Sequence, residues 1–158
     1  MVATRGSTLS LKGRALKYLS AREHSRVELV RKLKPHAEDP AEIDRVLTDL
    51  ESRGWLSAER FVESVVHRKA ARFGVARIRG ELNGHQLPDD AVRSALAALK
   101  DTELQRAQAL WSRRYGQVAD TPQQLAKQMR FLAGRGFSGD VIRQVVRGSS
   151  DAEDVNEA

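Results

Sequence analysis

The sequence predicts an all-α protein built as three tandem three-helix repeats stacked into an elongated array. Three observations lead there. Apolar positions recur in register about every fifty residues: Leu33, Leu82 and Leu132 each stand ten residues before Ile43, Val92 or Ile142, and fourteen before Leu47, Leu96 or Val146. Within each copy the apolar residues fall at three- and four-residue steps, the spacing of one helix face. The intervening stretches carry residues that start and stop helices, and none alternates apolar and polar residues as a half-buried strand does. A repeat of this length is one supersecondary unit, too small to bury its own apolar face, so copies must stack. That favours a long surface offered to a partner over a single catalytic cleft.

Residues 1–9 are small, polar and without periodicity, and read as disordered. A first helix carries Leu11, Ala15, Leu16 and Leu19 and fades near His24. Ser25 with Glu28 forms a capping box for a second helix, whose inward residues are Val27, Leu29, Val30 and Leu33. Asp39 caps a third, with Pro40 at its first position and Ile43, Val46, Leu47 and Leu50 inside. Gly54 closes it in a left-handed cap, and Trp55 packs back on the final turn.

The second copy opens at Ser57, with Phe61, Val62, Val65 and Val66 inward, and Phe73-Gly74 stops its first helix. A short helix carries Val75, Ile78 and Leu82 to Asn83-Gly84. Pro88-Asp89-Asp90 opens the next, with Val92, Ala95, Leu96 and Leu99 inside. The third copy is expected to start a new helix at Asp101, carrying Leu104, Ala107, Leu110 and Trp111 to Tyr115-Gly116. Thr121-Pro122 starts a helix with Leu125, Met129 and Leu132. Ser138 caps the last, with Val141, Ile142, Val145 and Val146, and Gly148 ends it. The expectation is nine helices in repeats at 10–57, 58–100 and 101–148, then a mobile acidic tail at 149–158.

Composition narrows the function. Apolar residues make up 41% of the 158, enough for a packed core. No apolar run approaches the roughly 20 residues of a membrane helix, and the N-terminus lacks the apolar stretch of a signal peptide. A cytoplasmic, monomeric protein with no membrane partner is expected. The absence of cysteine excludes disulfides, thiolate metal sites and cysteine nucleophiles. The net charge is +6, and the last ten residues hold four acids and no base, so the remainder carries +10. Such a body favours polyanions or acidic protein surfaces.

Catalytic and cofactor chemistry find no support. Gly134 to Gly139 spells G-x-G-x-x-G, but a helix precedes it and no acid-bearing second strand follows, so no dinucleotide site is expected. His24, His36, His67 and His85 lack metal-ligand spacing, and His36 and His85, at equivalent repeat positions, suit helix C-termini. The carboxylates are interleaved with bases on solvated faces. No catalytic, cofactor or metal residue is assigned, and the chain is read as a non-enzyme without cofactors.

The basic residues say more. Segment 67–79 holds His67, Arg68, Lys69, Arg72, Arg77 and Arg79 around a helix–turn–helix corner, uninterrupted by any acid. Arg31 and Lys32, beside Lys34, make a similar patch in the first copy, and Arg130, with Arg113 and Arg114, recurs in the third. Arg68, Lys69, Arg72, Arg77, Arg79, Arg31, Lys32 and Arg130 are the candidate partner- or DNA-binding residues. Arginine outnumbers lysine, which suits bidentate pairing with phosphate or carboxylate. Aromatic residues, Phe73 and Phe131 among them, read as packing anchors rather than base-stacking platforms.

Three stretches carry a family resemblance. Residues 54–61, from Gly54-Trp55-Leu56-Ser57 to Phe61, resemble the junction of the first two repeats in RecX proteins, regulators of the RecA recombinase. Phe73-Gly74-Val75-Ala76-Arg77-Ile78 through Leu82 is similar to their second-repeat signature, and Arg130-Phe131-Leu132-Ala133-Gly134-Arg135-Gly136-Phe137 to their third. The resemblance spans residues 10–148 in the correct order. It implies a curved array of three three-helix repeats that binds RecA–DNA filaments in the helical groove. It further implies inhibition of filament growth, ATP hydrolysis and strand exchange, within DNA repair, recombination and the SOS response. Single-stranded DNA within or beside the filament is an implied weak partner. The competing reading is a helix-turn-helix transcriptional regulator, which needs a two-stranded wing after Trp55, where this sequence enters another helix.

Overall fold

The computed structural model describes residues 9–148; the expectations for residues 1–8 and 149–158 lie outside them. Eight α-helices follow one another, with no strand among the described residues. They are α1 (Leu11–Ala21), α2 (Arg26–Leu33), α3 (Pro40–Ser52), α4 (Ala58–Lys69), α5 (Val75–Asn83), α6 (Asp89–Arg114), α7 (Pro122–Gly134) and α8 (Gly139–Val146). A short 3-10 turn, Lys34–His36, follows α2.

Local chemistry sets most boundaries. Ser10, Ser25, Ser57, Thr121 and Ser138 each accept a backbone N–H at the start of a helix, and Asp39 does the same ahead of Pro40. The capping box at Ser25 is complete, with Glu28 returning a bond to the Ser25 N–H. Gly54, Gly116, Gly136 and Gly148 hold positive φ at the ends of α3, α6, α7 and α8.

The interior comprises three clusters rather than one. The first gathers Leu11, Ala15, Leu29, Leu33, Ile43, Leu47, Leu50 and Leu56. The second centres on Phe61, Val65, Ile78, Leu82 and Leu99, the third on Ala107, Trp111, Leu132, Ile142 and Val145. Leu33, Leu82 and Leu132, the equivalent positions of the repeat, are each buried in their own cluster. This is the helical repeat array that the fifty-residue period predicts.

One break does not occur. Helices expected at 88–100 and from 101 are a single 26-residue helix, α6, so the described residues form eight α-helices rather than nine. Lys100-Asp101-Thr102 contains no glycine or proline to stop it, and the Thr102 hydroxyl donates back to the Leu99 carbonyl at 3.3 Å. At about 100° per residue, Ala91 and Trp111 lie about 200° apart around α6. The buried stripe therefore winds from the second cluster to the third, and the line drawn between 100 and 101 falls inside one rod.

Other inward expectations are corrected. Val30 and Leu125 are 39% and 38% exposed. In α7 the buried position goes instead to Gln128, which accepts from the Trp111 indole at 2.9 Å and donates to the Gln117 carbonyl at 3.1 Å. Trp55 stays 45% exposed, with Lys12 and Arg53 over its ring. His36 lies exposed in the 3-10 turn. His85 does more than complement a helix end. Its ring packs on Phe61, with 4.6 Å between centroids, and its Nδ1 meets the buried Ser25 Oγ at 2.6 Å. With the Arg60–Glu23 ion pair at 2.9 Å, this contact joins the first repeat to the second.

Candidate partner interface

The second and third repeats meet where two of the sequence signatures touch. The turn after α4 brings Gly74 against the turn after α7, and the Gly74 N–H donates to the Arg135 carbonyl at 2.8 Å. The backbones are too close for side chains. A Cβ on Gly74 would collide with the Gly136 carbonyl, and one on Gly136 would stand 2.5 Å from the Arg77 Cβ. Gly136 also holds φ +87, a left-handed conformation.

Two side chains of α6 lock this junction. Glu103, 5% exposed, accepts from the Val75 N–H at the start of α5 and from the Ser138 N–H ahead of α8, both at 3.3 Å. Buried charge is tolerated where hydrogen bonds replace water. Arg106, one turn on, donates to the Ala70 and Phe73 carbonyls, each at 2.7 Å, and to the Leu99 carbonyl at 2.8 Å. Burial pushes its guanidinium pKa down, partly opposed by Glu103. No buried side-chain polar atom lacks a partner among the described residues.

The locked junction presents cations on two rings. Lys69, Arg72, Arg77 and Arg135 lie 5.5, 5.4, 4.8 and 5.6 Å from the Phe73 centroid. Arg114 and Arg135 lie 5.0 and 5.2 Å from that of Phe131, and Tyr115 meets Phe131 edge-on at 5.7 Å. A ring face attracts a cation, so each phenylalanine organises several positive charges that would otherwise repel. Lys69 alone of these cations pairs with a carboxylate among the described residues, Glu81 at 2.7 Å. Arg77 is fixed by donating to the Gly134 carbonyl at 3.1 Å. The surface can accept phosphates or carboxylates at several points; with its ring faces covered by guanidinium groups, it offers little room for stacked bases.

Of the sequence candidates, Lys69, Arg72 and Arg77 come together here. Arg68 is exposed on α4 and donates to the Ser64 carbonyl. Arg79 lies with Arg93 along a shallow groove between α5 and α6, because two helical residues on from Arg77 it faces elsewhere. Arg31 and Arg130 are exposed on α2 and α7. Lys32 sits 4.7 Å over the Tyr18 ring in the first repeat, remote in sequence from the Phe73 cluster. Sequence reasoning missed Arg135, which serves both rings. Its signal was present in the Arg135-Gly136-Phe137 element, but only the fold places that element beside Phe73.

Comparisons with known proteins agree with this architecture. Residues 12–50 match the model of the first three-helix domain of RecX, and residues 101–146 that of the third. The regulatory protein RecX of Leptothrix cholodnii is 61% identical over 146 residues, covering 92% of this chain and 93% of that one. That of Ralstonia nicotianae is 51% identical, covering 89% of each. The crystal structure of RecX from Lactobacillus salivarius superposes with a TM-score of 0.73 at 21% identity, over 87% of this chain and 92% of that one. A three-helix repeat array with matching first and third domains, and relatives alike along nearly its whole length, assigns the chain to the RecX family of regulatory proteins.

Proposed function

We propose that this protein is a non-enzymatic regulator that binds RecA–DNA filaments and restrains their growth, ATP hydrolysis and strand exchange. One observation carries the reading: the cations clustered on Phe73 and Phe131 at the second junction. A recombinase filament on DNA combines acidic protein surface with phosphates, and a basic array of stacked repeats suits both. Many weak contacts held by one body add to substantial affinity without a deep pocket. The competing transcriptional reading requires a wing after Trp55. Here α4 begins at Ala58 instead.

The test is RecA-dependent ATP hydrolysis on single-stranded DNA, titrated with the wild type and with an Arg72→Glu, Arg114→Glu variant. Both residues are exposed and hold no backbone carbonyl, so the fold should survive. The expected result is loss of inhibition by about tenfold or more in half-maximal concentration, on the scale of hot-spot charges at interfaces. Full inhibition by the folded variant would remove this surface from the mechanism.

A further inference from the structure

A second group of cations surrounds a cavity of about 390 Å³ in the first repeat. Arg14 and Lys17 reach it from α1, Arg22 from the turn after α1, and Lys32 from α2. Its apolar walls are Leu9, Ala21 and the Tyr18 ring. Among the described residues no carboxylate lines it.

The charges here are arranged, not incidental. Glu28 occupies Arg22 at 2.5 Å. His24, 2% exposed, donates from Nδ1 to the Arg22 carbonyl at 3.0 Å, so its Nε2 carries the lone pair. That lone pair accepts from Lys32 Nζ at 3.1 Å. Burial lowers the His24 pKa and keeps the ring neutral. Lys32 is thus positioned by a neutral acceptor, and over Tyr18 it pairs with no carboxylate among the described residues. Arg14 and Lys17 make no ion pair among the described residues.

We infer that this cavity is a subsite for one nucleotide of a single-stranded nucleic acid, with phosphate among Arg14, Lys17 and Lys32 and the base against Tyr18, Ala21 and Leu9. Arginine forks and lysine point charges both bind phosphate, and with Arg22 taken by Glu28, Arg14, Lys17 and Lys32 are left to hold it. The volume lies at the lower end of small-ligand sites. It admits a splayed nucleotide, whereas duplex grooves are read by elements that protrude into them. Cations beside an apolar, aromatic wall are the combination that holds single strands without regard to sequence. Four cations crowd the Phe73 ring, whereas among the described residues Lys32 alone stands over Tyr18. The inference goes beyond the filament reading, because it concerns nucleic acid held directly by this chain with no recombinase present.

The test uses the full-length chain and an oligodeoxythymidylate carrying one bromodeoxyuridine. After irradiation and trypsin digestion, the adduct should map to the peptide 18–22, which holds Tyr18. By fluorescence anisotropy, an Arg14→Gln, Lys17→Gln variant of unchanged helicity and melting temperature should bind the strand at least fivefold more weakly. Its slope of log affinity on log salt should fall by about 0.7 for each phosphate it no longer neutralises. The Arg72→Glu, Arg114→Glu variant should keep the Tyr18 adduct, so failure here and failure of the filament reading are separable. An adduct confined to other peptides, or unchanged affinity in the folded variant, would overturn the assignment. So would displacement of the strand by polyglutamate at a lower concentration than by unlabelled oligonucleotide, which would make the site one for acidic protein.

Discussion

Gly136 illustrates how one position carries a junction. It needs a left-handed backbone and space that a methyl group would take from Arg77. Gly136→Ala should cost about 2–4 kcal/mol, combining the left-handed penalty with overpacking. The melting temperature should fall by about 5–15 °C, measured by circular dichroism, whereas Gly80→Ala, where a methyl group meets nothing within 4 Å, should not lower it. His24 gives a second prediction. Burial, reinforced by Arg22 and Lys32, holds its pKa below the ordinary value against the opposing Arg22 carbonyl bond and Glu28. Its contribution is complete above about pH 6.5 and is lost as the pH falls through the lowered folded-state value. Burial pulls Glu28 upward, but its bonds with Arg22 and the Ser25 N–H outweigh that and hold it low. Its contribution is lost only under more acid conditions, below about pH 4.5. Melting temperatures at pH 7.5 and 5.5 should therefore differ more in the wild type than in a His24→Asn variant; equal differences would contradict the assignment to His24.

At the scale of the element, α6 decides how two repeats are joined. Capping residues and glycines announced most other helix ends, since those signals act within a few residues. The stop expected at Asp101 was absent because a favourable N-cap residue does not end a preceding helix that nothing else interrupts. A 26-residue rod spans about 39 Å, and its Glu103–Arg106 turn sits where its buried stripe changes sides. Asp101→Pro should remove one helical hydrogen bond and clash with the preceding turn, costing about 3 kcal/mol. Chemical denaturation should then show the third cluster melting ahead of the second. A single transition with an unchanged midpoint would mean that continuity of α6 contributes nothing to their coupling.

For the whole molecule, three small cores in series make the junctions as important as the interiors. The first relies on His85, Ser25 and an ion pair, the second on opposed glycines and two side chains of α6. The reversal of Arg72 and Arg114 belongs to this scale, since those residues come from different repeats and act together only if the second junction holds. A structural effect would lower the melting temperature along with inhibition; an effect on recognition would lower inhibition alone.

The sequence by itself determined the helical class, the threefold repeat, the buried leucines and most caps, because these follow from spacing and local hydrogen bonding. It also identified Lys69, Arg72 and Arg77 as candidate interface residues. Tertiary structure decided that Arg135 and Arg114 join them across the second junction, that Arg79 turns away, and that Lys32 belongs with Tyr18. Which charges share a surface depends on how rigid helices are set against each other, and that is fixed by contacts between residues far apart in the chain.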